Sequence, residues 1–364
     1  MKIRKFVLAA TALFAFAACV YYDASPALPA STDGAIHEPV IIGAGTQWAL
    51  DGMLSLPEGA SAENPVPAVV IVAGSGASNM DGLIPNTMYP VHPYLDIANH
   101  LAANGIAVIR HDKRTYTHGV EMVMQLGGAL TAYEEAMADA LLATEILRAD
   151  PRIDSDKIFI LGHSLGGALA PRIHNMGGDY AGLILLGGLA SSLVDSTIRQ
   201  VEDQFSAALA MVAPDDPMFE LAQAQAAEMA MLIEMTRAVQ AMAPTMTTEE
   251  AQMTVLPFLG LTAYYYMDMM NNSVSANAAL ITAPILVIQG GRDFQISLAY
   301  EFPYVYEIFA PMPNATVVVY DTLNHIFAQS QAFDHLSHAT ELMTTPMSVD
   351  SGLLNDIVSW ILAR

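Results

Sequence analysis

The sequence predicts an α/β fold: a mostly parallel eight-stranded sheet covered by helices on both faces, with a helical insertion late in the chain. Three observations predict it. From Glu38 onward, short β-branched runs alternate with longer helical stretches. Most of these runs are almost continuously apolar, as strands buried on both faces must be. The alternation then lapses between Ala190 and Ala278, where the composition turns to Ala, Met, Gln and Glu.

The elements follow in order. Lys2, Arg4 and Lys5 precede an apolar run from Phe6 to Ala18 that is short for a bilayer span, so residues 1–18 read as an export signal. Cys19, the only cysteine, directly follows Phe16-Ala17-Ala18, which resembles a bacterial lipoprotein cleavage box. A lipid-anchored envelope protein is therefore expected, with membrane attachment through Cys19. Cleavage after Ala15-Phe16-Ala17 would instead release a soluble periplasmic or secreted protein. Residues 19–36, rich in Ala, Ser and Pro, read as a flexible tether.

The α/β core is expected over 37–190 and 279–364. Its strands are Pro39 to Ile42, Gln47 to Leu56, Ala68 to Val72, Ile106 to Arg110, Ile158 to Gly162, Gly182 to Leu186, Ile285 to Gln289 and Ala315 to Tyr320. The first two can also be read as an antiparallel hairpin. Helices are expected over Pro93 to Asn104, along the stripe Tyr133, Met137, Ala140, Thr144 and Leu147, and over Asp350 to Leu362. Residues 191–278 form the helical insertion, holding eleven of the 22 methionines from Met211 to Met270. That composition suits either plain helix packing or a soft lid over an apolar pocket.

The chemistry centres on Ile158 to Gly167, an apolar strand running into Gly162-His163-Ser164-Leu165-Gly166 and then a helix. A Gly-x-Ser-x-Gly turn in that context is a nucleophile elbow. The glycines let strand and helix approach closely, and Ser164 is presented at the helix N-terminus, where backbone amides favour negative charge. A serine hydroxyl needs a base, and the base needs a partner to hold its tautomer. His325, in Asp-Thr-Leu-Asn-His after the eighth strand, is the base. Asp293, in Gln-Gly-Gly-Arg-Asp after the seventh, is the carboxylate. Taken alone, Asp293 would more commonly be a turn or helix-cap residue; the order Ser, Asp, His, each just past a different strand, selects the triad. Asp321 is a weaker acid, and His335 and His338 are fallback bases.

The small-residue loop Ala73 to Asn79 follows the third strand, and the amides of Ser75 and Leu165 are assigned to an oxyanion hole. It lacks the Lys and Ser/Thr of a phosphate-binding loop. Lys113 and Arg114, after the fourth strand, are candidate substrate contacts, with a structural ion pair as the expected role of at least one of them. A formal charge of −23, from 37 acidic against 14 basic residues, argues against nucleic acid as a partner.

From roughly Val40 to Leu362 the chain resembles the bacterial α/β-hydrolase family of exported or lipid-anchored serine esterases. The elbow, Gly45-Thr46 to Leu56, Ala73-Gly74-Ser75-Gly76, His111-Asp112-Lys113-Arg114, Gln289 to Asp293 and Leu323-Asn324-His325 carry the resemblance. It implies the α/β-hydrolase fold and hydrolysis of carboxylic esters, small-molecule substrates, without metal or cofactor. Short to medium acyl groups are expected from the apolar insertion. A thioesterase or peptidase would use the same machinery, and a surface protein that keeps the fold for binding alone is the competing class.

Overall fold

The computed structural model describes residues 35–83, 89–210, 212–213 and 215–364. The expected export signal, the lipidation at Cys19 and nearly all of the tether lie outside the described residues. The tether was drawn two residues too long: Ala35 and Ile36 already belong to the first strand, where Ala35 pairs with Pro57.

Eight strands form one sheet: β1 (Ala35–Ile42), β2 (Leu50–Pro57), β3 (Val66–Val72), β4 (Ala107–His111), β5 (Ile153–His163), β6 (Gly182–Leu186), β7 (Ile285–Gly290) and β8 (Ala315–Tyr320). Their order is β1-β2-β4-β3-β5-β6-β7-β8. The first two make the antiparallel hairpin, β2 also runs antiparallel to β4, and the pairings from β4 through β8 are parallel. The sheet is therefore a mostly parallel one with an antiparallel edge, as its apolar runs predict.

Alternation along β5 explains the layering. Ile158 and Ile160 face one core, shared with Leu147, Leu169 and Val287. Phe159 and Leu161 face the other, shared with Ile97, Leu101, Leu353 and Ile357. Helices α1 (Pro93–Ala103), α2 (Ala138–Ala149) and α3 (Leu165–Ile173) pack on these faces. The stripe at Tyr133 enters α2 through a widened turn, Tyr133–Met137, in which the Ala138 amide reaches back to the Tyr133 carbonyl.

The insertion is helical. It consists chiefly of α4 (Leu193–Ala210), α5 (Phe219–Met242), α6 (Thr248–Met253) and α7 (Ala263–Asn271), with one isolated bridge between Val255 and Thr262. It has its own small core of Val194, Ile198, Ile233, Ala243, Ala251, Leu256 and Ala263. Two C-terminal helices complete the fold, α8 (His335–Thr344) and α9 (Ser351–Leu362). Among the described residues no helix is long and apolar enough to cross a membrane.

Candidate active site

Ser164 sits where β5 ends and α3 begins, with φ of 55° and ψ of −117°. A residue other than glycine held there is strained, and the surroundings must enforce it. They do so by proximity: a Cβ on Gly162 would lie 2.2 Å from the Gly166 carbonyl oxygen, and one on Gly166 would lie 2.1 Å from that of Val72. Only glycine fits at either position. The Ser164 amide donates to Leu186 at 2.9 Å, which ties the elbow to β6. Its side chain does not cap α3, so the hydroxyl is left to other partners.

Asp293 and His325 meet just beyond the ends of β7 and β8. The His325 Nδ1–H donates to Asp293 Oδ2 at 2.8 Å, and both side chains are buried. A carboxylate only accepts, so the ring proton is on Nδ1 and the lone pair on Nε2. Asp293 is fixed by further donors: the amides of Gln295 and Ile296 on Oδ1, at 2.9 and 2.8 Å, and Gln289 Nε2 on Oδ2 at 3.3 Å. The pair lies against the elbow. A Cβ on Gly187, the residue after Leu186, would sit 3.2 Å from Asp293 Oδ2 and 3.5 Å from His325 Nδ1. Asp321, by contrast, is exposed on a turn.

Residue His163 joins the elbow to the loops around it. Its ring lies 4.8 Å from that of His325, centroid to centroid. Its Nε2–H donates to the His325 carbonyl at 2.8 Å, so Nδ1 accepts from the Tyr94 hydroxyl at 3.0 Å. That hydroxyl in turn accepts the Gly74 amide at 2.9 Å. Burial, with the neighbouring His325, pushes the His163 pKa down to about 3, so the ring stays neutral and serves as a brace.

The loop after β3 and the start of α3 are the two sources of amides here. Neither the Ser75 nor the Leu165 amide has a hydrogen-bond acceptor among the described residues, while the Gly74 amide is taken by Tyr94.

The expected substrate contacts at Lys113 and Arg114 are corrected, since both side chains turn inward. Lys113 Nζ donates to Glu135 Oε1 at 2.6 Å and to the Gly74 carbonyl at 2.9 Å. Arg114 donates to Asp139 Oδ1 through Nε and Nη2, at 3.0 and 2.7 Å. Each cation is buried and neutralised by a carboxylate on the Tyr133–Ala149 segment, which removes it from the substrate's reach.

Histidines 335 and 338 lie on α8. His335 Nε2 is 3.5 Å from Asp203 Oδ2, and His338 is buried with neither ring nitrogen hydrogen-bonded among the described residues. Burial lowers the His338 pKa to about 4. Asp293 is already paired with His325, so neither fallback is needed. Among the described residues no group of three His, Cys, Asp or Glu is placed to hold a metal ion. Sequence reasoning missed Tyr94, Glu135 and Tyr265. Each lies on an apolar helical face, and nothing in such a stripe marks a polar tip as paired rather than merely packed.

A family model, that of the serine aminopeptidases S33 (Hydrolase_4), matches residues 91–328. The esterase EstD of Thermotoga maritima is 29% identical over 316 residues, which are 86% of this chain and 65% of that protein. This chain thus spans just under two thirds of that relative's length. Among solved structures, Est1E from Butyrivibrio proteoclasticus aligns at a TM-score of 0.50 and 14% identity, covering 90% of this chain and 99% of that one. The Pyrococcus horikoshii acylaminoacyl peptidase aligns at 0.50 and 13% identity, over 81% of this chain and 38% of that one. At such identities these two likenesses speak for the fold alone. The strand order and the family match lead to one conclusion: this chain has the α/β-hydrolase fold and belongs to the serine aminopeptidase S33 (Hydrolase_4) family.

Proposed function

We propose that the protein hydrolyses carboxylic esters through an acyl-enzyme on Ser164. The observation that carries the reading is the 2.8 Å bond from His325 Nδ1–H to Asp293, which leaves Nε2 free as a base on a ring 4.8 Å, centroid to centroid, from that of His163, the residue before the strained Ser164. In the first half, Nε2 takes the Ser164 proton as Oγ attacks the ester carbonyl, and the amides of Ser75 and Leu165 hold the oxyanion. His325 then protonates the leaving alcohol. In the second half it activates water against the acyl-enzyme, returning Ser164 and a carboxylic acid. Likeness to an esterase favours esters over thioesters and peptides, which the same groups could attack.

The candidate for the acyl group is a cleft of about 120 Å³ between core and insertion, which borders α3 without Ser164 or His325 in its lining. Leu169 lines it one turn beyond the elbow, Leu189 two residues beyond Gly187, and Leu261 and Met269 from the insertion. Its apolar walls select short to medium acyl chains.

A series of p-nitrophenyl esters from acetate to palmitate tests both parts. Activity peaks at short to medium chains, and Asp293→Asn lowers kcat about 10⁴-fold. A profile flat in chain length removes the cleft assignment. Thioesters or peptides turned over faster than every ester would replace the reaction class.

A further inference from the structure

The candidate machinery leaves one buried polar chain unused. It begins in the insertion, where the Tyr265 hydroxyl on α7 donates to Glu135 Oε2 at 2.7 Å. Glu135 Oε1 accepts from Lys113 Nζ at 2.6 Å, and Lys113 Nζ donates to the Gly74 carbonyl at 2.9 Å. All three side chains are buried. Glu135 lies in the widened turn Tyr133–Met137, a local departure from helix geometry of the kind that re-aims side chains at functional sites. Burial would raise the Glu135 carboxyl, but the Lys113 charge and the hydrogen bonds from Lys113 and Tyr265 outweigh it, and the group stays a carboxylate.

The end of this chain decides its meaning. The Gly74 carbonyl and the Ser75 amide belong to one planar peptide unit, with C=O and N–H on opposite sides. A cation on the carbonyl therefore fixes the plane and draws electron density away from the amide, making its N–H a stronger donor. The Gly74 amide, in the preceding peptide unit, is held by Tyr94. The Ser75 amide is thus held through its own peptide unit and the one before it, before any substrate arrives, as a preorganised oxyanion donor must be. Stability alone does not account for the arrangement, because a buried ion pair is commonly matched by apolar residues of similar volume.

We propose that Lys113 is a positioning residue for the oxyanion hole, and that Glu135 and Tyr265 hold it in place, so that seating of α7 on the core sets the strength of the Ser75 donor. This rests on the serine-esterase reading above. The insertion then completes the electrostatics of the transition state.

The test uses two variants of the full chain. Lys113→Met with Glu135→Leu removes the charge pair without stranding either partner, and Tyr265→Phe removes one hydroxyl. Each is measured for kcat and KM on p-nitrophenyl acetate, for inhibition by a trifluoromethyl ketone that forms a tetrahedral adduct on the serine, and for thermal unfolding. In the double variant kcat falls about 100-fold with KM within about twofold, and ketone affinity falls in parallel. In Tyr265→Phe both fall about fivefold, a smaller share of the same donor loss.

A folded double variant with kcat and ketone affinity within about threefold of wild type, well short of the loss of one oxyanion donor, overturns the proposal. Should the double variant fail to fold, unchanged kcat and ketone affinity in Tyr265→Phe do the same. Losses that only track the folded fraction make the chain structural and also overturn it. A wild type that neither hydrolyses the ester nor forms the ketone adduct sinks the esterase reading itself, whereas an active wild type beside an unimpaired variant sinks only the role of Lys113.

Discussion

At the scale of single residues, the neutral His163 ring carries a measurable consequence. Folding holds its pKa at about 3 against an ordinary 6.5. Between those values the unfolded chain binds more protons, so stability falls as pH drops through that window and stops falling below it. His111 and His338, lowered chiefly by burial, act in the same direction. Asp112, pushed up to about 6 by burial, acts in the opposite one. Comparing variants separates them: urea unfolding at pH 7 and pH 5 should show His163→Gln losing about 2 kcal/mol less than wild type. Equal losses would mean that the ring is not held neutral. The elbow residues were legible individually, because a serine between glycines after an apolar strand has few other uses. The brace was not: Tyr94 reads as one more apolar residue on α1, and only the coordinates show its hydroxyl between Gly74 and His163.

Secondary-structure elements divide the insertion into a fixed part and a loose part. Helix α7 is clamped at two points, by Tyr265 on Glu135 and by Asp268, whose two oxygens accept from Arg172 at the end of α3 at 2.7 and 2.9 Å. Helix α5 buries only Ile233 and Thr236 along its length. Few buried contacts mean a low cost of local opening. Amide hydrogen exchange should therefore be fast along α5 and slow in α7 and β5. Protection in α5 equal to that in β5 would contradict this division. The methionine-rich composition pointed to an adaptable surface but could not say which helix was anchored, since that depends on single pairings across the insertion boundary. The helix at α8 went unread for a related reason: its residues carry no clear apolar period, and an Asp334 capping box starts it.

For the whole molecule, the parallel core followed from patterning because strands buried on both faces leave little freedom in composition. The boundaries moved where pairing, rather than hydrophobicity, extends a strand: β1 already includes Ala35, paired with Pro57, and β5 begins at Ile153 through a pairing with Val66. Lys113 and Arg114 could not be divided between substrate contact and ion pair from sequence, because a cation near a strand end looks the same whether it faces substrate or a buried carboxylate; the ion-pair role is the one both take. Their partners, Glu135 and Asp139, lie on a segment whose inward face could be read only as apolar. What the fold accomplishes is to set Ser164, Asp293 and His325 just past the ends of β5, β7 and β8, at one edge of the sheet; in the proposed mechanism the loop after β3 and the first turn of α3 supply the amides.

The central claim is that this convergence activates one serine. Incubating the full chain with a fluorophosphonate and mapping the adduct by peptide mass spectrometry tests it most directly. The account predicts rapid modification of Ser164 alone, with no labelling in Ser164→Ala and labelling slowed by orders of magnitude in His325→Ala. Unlabelled Ser164 in folded wild-type protein, or labelling that His325→Ala leaves unchanged, would contradict it.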